Sequence, residues 1–225
     1  MEVKNEMIQA VNTTGWASRD FLFAAAIHEA CNSLAVISGY NELFNPENIE
    51  TLRPLLDDEI DRIRDILMLC AGGFRTDRMG PVSLQSVIAT VVQHLRPLCE
   101  AKGICLLAEG PDAIVQAHQS GLEQIVKNLV GNALREVGAG DAISVHTTLG
   151  GADASMRVHN TGSAISRDRL GGIFEPGFTT TPFSHGLGLA WVRYLVESYG
   201  GTISAASDCT GTEFVVHLPG GTSLQ

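Results

Sequence analysis

The 225-residue chain is 44% hydrophobic, enough for one or two compact domains with buried cores, and its composition argues against disorder. Fifteen Lys plus Arg against 25 Asp plus Glu give a formal charge of -10, which argues against a surface built to coat nucleic acid or anionic lipid. Such a charge leaves room for one anionic nucleotide in a locally neutralised pocket.

Five cysteines, Cys31, Cys70, Cys99, Cys105 and Cys209, form no CxxC pair and no Cys/His spacing suited to zinc, so a reduced cytoplasmic protein is expected. No apolar run approaches the roughly 20 residues of a membrane helix, and the start MEVKNEM lacks the basic opening of a signal peptide.

The first predicted element is a helix from about Ser18 to Phe44. Phe23, Ile27, Ala30, Leu34, Ile37 and Phe44 recur on steps of four and three, with Asn41 as the polar member of the seam. Asn45-Pro46-Glu47-Asn48 supplies turn chemistry. A second helix then carries Leu56, Ile60, Ile63, Leu67 and Cys70 on the same rhythm. Two such helices make a hairpin whose apolar stripe its partner alone cannot bury, so dimerisation into a four-helix bundle is expected. Gly72 to Pro81 reads as a linker.

Beyond it the pattern predicts helices at Leu84 to Ala101, Gln119 to Val137 and Leu187 to Tyr199. Strands are expected at Ile104 to Leu107, Ala113 to Gln116, Ala142 to Thr148, Ser155 to His159, Thr202 to Ala206 and Thr212 to Leu218. This mixture implies an α/β sandwich, helices on one face of a mixed sheet.

Three constellations carry chemistry. In His28-Glu29-Ala30-Cys31-Asn32, His28 falls one step of about 100° from the seam residue Ile27, towards solvent. A neutral imidazole nitrogen can attack phosphorus while the Glu29 carboxylate takes or orients the other proton. On these residues alone, a surface histidine beside an acid is the simpler account. In the helix around Leu122 to Arg135, Ile125, Leu129 and Ala133 form a core stripe beside a polar stripe of Asn128, Asn132 and Arg135. A carboxamide oxygen suits Mg²⁺ and a guanidinium suits phosphate, although a solvated helix face has the same spacing. In the run from Asn160 to Gly188, Gly186 and Gly188 let backbone N–H groups approach phosphate at a helix start. The threonines and glycines before them have the composition of a mobile lid or of a plain surface loop.

In this order the chain resembles the H box (His28 to Asn32), N box (Asn128 to Asn132), G1 box (Asn160 to Ala164), F box (Phe174 to Phe178) and G2 box (Gly186 to Gly188) of two-component histidine kinases. The likeness spans about Phe21 to Pro219. It implies an α+β chain: residues 1–75 as a dimerisation and histidine-phosphotransfer hairpin, residues 82–225 as an ATP-binding α/β sandwich of the GHKL type. It further implies autophosphorylation of His28 from ATP and transfer to an aspartate of a response regulator receiver domain. Glu29 would be the acid/base partner, and Asn32 the residue that positions water when the regulator is dephosphorylated. Asn132 would hold Mg²⁺, with Asn128 and Arg135 near the phosphates. Asn160 would read the adenine amine, with Gly162 beneath the ring. Thr179 to His185, including Thr180 and Thr181, would form a lid that closes with Gly186, Leu187 and Gly188 on the triphosphate.

The chain also departs from the pattern. Ser33 replaces a helix-bending proline, Asn160 the G1 aspartate, Ala164 the second G1 glycine, and Thr181 a lid lysine; His118 stands where an aspartate often precedes the N-box helix. A neutral amide makes a weaker bond to the adenine amine than a carboxylate does, which predicts reduced ATP affinity. The rival reading is a histidine phosphotransferase or adaptor whose nucleotide domain is degenerate. A serine kinase of the anti-sigma type shares the nucleotide fold but lacks the hairpin.

Overall fold

The computed structural model describes residues 19–43, 48–50, 52–53, 55–56, 59–60, 63, 78–150, 153–179 and 186–220. The chain divides into two compact units, one of Met1–Gly73 with Pro176–Leu187 and the other of Phe74–Glu175 with Gly188–Gln225.

In the first unit, helix α1 runs Arg19–Leu43, close to the expected bounds and continuous through Ser33. The Asn48 side-chain amide donates to the Leu43 carbonyl at 2.8 Å, satisfying one of the acceptors left open at the helix end. The described residues from Ile49 to Ile63 are all helical; Leu67 and Cys70 lie outside the described residues, as do 44–47 of the expected turn.

The seam differs in detail from the expectation. Ala30 and Ile37 are half-buried, but Ser33 is the buried residue between them, whereas Ile27 is 59% and Leu34 54% exposed. A heptad stripe is wider than the face one neighbouring helix covers, so within a single chain only one edge of it is enclosed.

The second unit holds an α/β sandwich. Its elements are β1 (Gly80–Ser83), α2 (Leu84–Ala101), β2 (Cys105–Glu109), β3 (Ile114–Ala117), α3 (Gln119–Glu136), β4 (Ala142–Gly150), β5 (Asp153–Asn160), α4 (Arg167–Leu170), α5 (Gly188–Ser198), β6 (Thr202–Asp208) and β7 (Gly211–Pro219). Strand β1 corrects the linker reading, which had extended to Pro81. It pairs antiparallel with β3, an interaction distant in sequence that local composition does not announce. The short helix α4 was likewise unforeseen.

The main sheet has the order β2-β4-β5-β7-β6, with β2 parallel to β4 and the other pairs antiparallel. Period-two alternation sets its inward face: Ile143, Val145 and Thr147 on β4, Ala154, Met156 and Val158 on β5, Phe214, Val216 and Leu218 on β7 are all buried. Helices α2, α3 and α5 supply the other layer, packing Val87, Ile88 and Val91, then Ile125, Leu129 and Ala133, then Val192, Leu195 and Val196 into the core. The Ser83 hydroxyl caps α2 by accepting the Ser86 N–H at 3.0 Å and itself donates to Asp112.

Candidate nucleotide site and the H-box helix

Helix α3 organises the site. Its core stripe is wholly buried, so the stripe rotated away from it, Asn128, Asn132 and Arg135, is turned outward as the periodicity required. The Asn128 amide N–H donates to the Gln124 carbonyl one turn back at 3.0 Å, which leaves its Oδ1 facing away from the helix. A Cβ on Gly188 would stand 3.2 Å from that Oδ1, so Asn128 and the first turn of α5 are in direct apposition. The first N–H groups of α5 are the unsatisfied donors of a helix start, a setting that favours an anion. The Arg135 guanidinium donates to Asn132 Oδ1.

Asn132 and Asn128 offer amide oxygens of the kind that suits Mg²⁺, while among the described residues no three His, Cys, Asp or Glu side chains converge. These residues therefore fit a Mg²⁺ ion that arrives with phosphate and water ligands, not one caged by protein carboxylates. Arg135, which is exposed, would have to release Asn132 Oδ1 for that role.

The far end of α3 is joined to the loop after β5. The Ser163 N–H donates to the Glu136 carbonyl at 3.2 Å, and a Cβ on Gly162 would lie 2.0 Å from that same oxygen. Only glycine permits this approach. Asp141 reinforces it: its carboxylate accepts from the Gly138 N–H at 2.8 Å and from the Thr161 hydroxyl at 2.9 Å, and Thr161 accepts the Ala142 N–H at 3.0 Å. The Gly138 N–H, followed by the Thr161 hydroxyl, holds the Asp141 carboxyl below its ordinary value.

Asn160 itself ends β5 as the next inward residue after Val158 and is only 2% exposed. In register it stands between Ile143 of β4 and Thr212 of β7. Thr212, also buried, was not singled out from sequence; the signal was its alternation with Phe214 and Val216 inside Gly211-Thr212-Glu213-Phe214. Its hydroxyl meets the Ser207 hydroxyl at 2.8 Å and donates to the Ser163 carbonyl at 3.3 Å, tying β7 to the same loop. Phe174 of the F box packs edge-on against Phe214, ring centroids 6.3 Å apart.

These placements tie α3 to the start of α5 at one end and to the loop after β5 at the other. Residues 117–222 match the family described as histidine kinase-, DNA gyrase B-, and HSP90-like ATPase. Over these residues the chain has the GHKL-type ATP-binding fold.

Over 88% of its length the chain is 30% identical to the sensor histidine kinase ZraS of Escherichia coli K12, of which it covers 45%. The chain thus spans a little under half the length of that curated relative. The catalytic domain of histidine kinase ThkA superposes with a TM-score of 0.60 at 26% identity, covering 64% of this chain and 96% of that one. ThkA in complex with the response regulator TrrA shares the fold over 97% of this chain and 65% of that one, with a TM-score of 0.70 at 23% identity.

The remaining expected site residues divide by location. In the first unit, Gly186 has φ +61°, and a Cβ there would lie 2.1 Å from the Phe178 carbonyl oxygen, so it too must be glycine. Its carbonyl accepts the Gly177 N–H at 3.1 Å, and Leu187 beside it is buried. Thr180, Thr181 and the rest of the expected lid up to His185 lie outside the described residues, while Thr179 is exposed. His28 and Glu29 have helical backbone within α1, but their side chains lie outside the described set; Asn32, on the same helix, is exposed.

Proposed function

We propose that the chain is the catalytic core of a dimeric sensor histidine kinase, which transfers the γ-phosphoryl group of ATP to His28 and then to an aspartate of a response regulator receiver domain. The observation that carries this reading is the arrangement around α3: Asn128 against the start of α5 at one end, and the Asn160–Ser163 loop seated on Glu136 at the other. Residues 117–222 match a family of ATPases, and they follow a helix that contains His28.

In this reading residues 1–75 form the dimerisation and phosphotransfer hairpin and residues 82–225 the ATP-binding domain. Asn160 and Gly162 receive adenine. Asn128, Asn132, Arg135, Thr180, Thr181, Gly186, Leu187 and Gly188 surround the phosphates. Mg²⁺ held through Asn132 would offset charge across the triphosphate. A neutral imidazole nitrogen of His28 forms the new N–P bond, the bond to the β-phosphate oxygen breaks with its electrons leaving on ADP, and Glu29 receives the proton from the other ring nitrogen. The phosphoramidate is reactive enough to pass its phosphoryl group to a carboxylate, and the partner in the ThkA complex is a response regulator. Asn32 would orient water in the reverse, dephosphorylating role.

Dimerisation is supported by Ile27, Leu34 and Leu43, which expose 59%, 54% and 63% of their surface in the single chain. Among the described residues no helix is long and apolar enough to cross a membrane, and the four described cysteines are free, which suits a reduced cytoplasmic setting.

The test is incubation with γ-labelled ATP and Mg²⁺. Acid-labile, base-stable label on the parent chain and none on His28→Gln is the expected result. Label that persists on His28→Gln would favour a kinase of another specificity, and a parent chain that binds no nucleotide would favour the adaptor reading.

A further inference from the structure

Asn160 is a polar residue in a core position. It occupies the last inward site of β5, is 2% exposed, and its side-chain Nδ2 has no hydrogen-bond partner among the described residues. A buried donor left unpaired costs about 1–3 kcal/mol, so a ligand that satisfies it gains from doing so. The polar groups around it are engaged with one another. The Thr212 hydroxyl is held by Ser207 and Ser163, and the Ser207 hydroxyl also accepts the Ile165 N–H at 2.8 Å. Gly162 backs closely onto this group: a Cβ there would stand 3.1 Å from Nδ2 and 2.0 Å from the Glu136 carbonyl oxygen.

An aspartate in this position could only accept hydrogen bonds. It would accept a hydrogen bond from a 6-amino purine and repel a 6-oxo group. A carboxamide carries an acceptor and a donor on one planar group, and half a turn about its terminal torsion exchanges them. In one orientation Oδ1 accepts from the adenine N6 amine while Nδ2 donates to N1. In the other, Nδ2 donates to the O6 of hypoxanthine while Oδ1 accepts from its N1–H. Both orientations satisfy the orphaned N–H, and no described protein group holds Nδ2 where it stands.

We infer that Asn160 makes the site tolerant at position 6 of the purine, so that it takes inosine triphosphate as well as ATP. The inference rests on the reading of the C-terminal domain as a nucleotide site. Calorimetric titration of the full chain with ATP, inosine triphosphate and CTP, each with Mg²⁺, tests it. The parent is expected to bind the two purine nucleotides within about tenfold of one another, the scale of one neutral hydrogen bond, and CTP far more weakly. Asn160→Asp should tighten ATP and loosen inosine triphosphate, widening the ratio at least about tenfold. ATP binding with inosine triphosphate more than about a hundredfold weaker in the parent would overturn the inference and leave the ATP site standing. CTP binding as well as ATP would overturn it by showing that the base is not read. No binding of any nucleotide would remove the ATP-site reading and the inference together. The parent ratio decides even if Asn160→Asp fails to fold, which circular dichroism would reveal.

Discussion

At the scale of single residues, close approach decides more than residue type. Gly162 carries no special dihedral, yet the Glu136 carbonyl oxygen would lie 2.0 Å from its Cβ. Gly162→Ala must therefore lift the Asn160–Ser163 loop from the end of α3. The expected outcome is an at least tenfold loss of ATP affinity, about 1.4 kcal/mol, with the helical signal retained, measured by titration and circular dichroism. The sequence marked Gly162 only through its resemblance to a G1 box; the reason for it, an oxygen 26 residues away in the chain, is tertiary. Asn160 is the reverse case. Its identity was plain in the sequence, but its burial and orphaned N–H came from the register of three strands.

At the scale of elements, periodicity carried most of the information. Helix α2 begins and ends where apolar spacing indicates; the structure adds the Ser83 cap, and Ser83→Ala should cost about 1 kcal/mol, read as a lowered denaturation midpoint. Leu129, fully buried at the centre of the α3 stripe, is a stronger test: Leu129→Ala should cost about 2–5 kcal/mol in urea unfolding.

The turn from α3 into β4 has a pH signature. Asp141 is bound by the Gly138 N–H and the Thr161 hydroxyl, which lower its folded-state pKa from the ordinary 3.8. Its contribution to stability is complete above that ordinary value and disappears as pH falls through the lowered one. The stability gap between the parent and Asp141→Ala should therefore be constant near neutrality and close on acidification below about pH 4, followed by thermal unfolding across pH. Element β1 escaped notice because four residues containing Gly80 and Pro81 show no alternation of their own; they become a strand only by pairing with β3.

For the whole molecule, the exposed stripe on α1 is the feature that points beyond one chain. Ile27 and Leu34 lie one heptad apart and expose more than half their surface each, as residues at a subunit seam would before assembly. The double variant Ile27→Glu, Leu34→Glu should halve the mass found by sedimentation while leaving ATP binding by the C-terminal domain intact. A monomeric parent chain would remove the bundle from the proposal.

The sequence by itself determined the longer helices and the six strands after α2, the inward and outward faces of α3, and the order of five motifs, because these depend on local period and spacing. Only the tertiary structure decided which residues meet: Thr212 beside Asn160, Gly162 on Glu136, Gly188 against Asn128, β1 with β3. Such meetings depend on strand order and register, which are set by burying a common face among segments far apart in the chain, a condition no local window of residues contains.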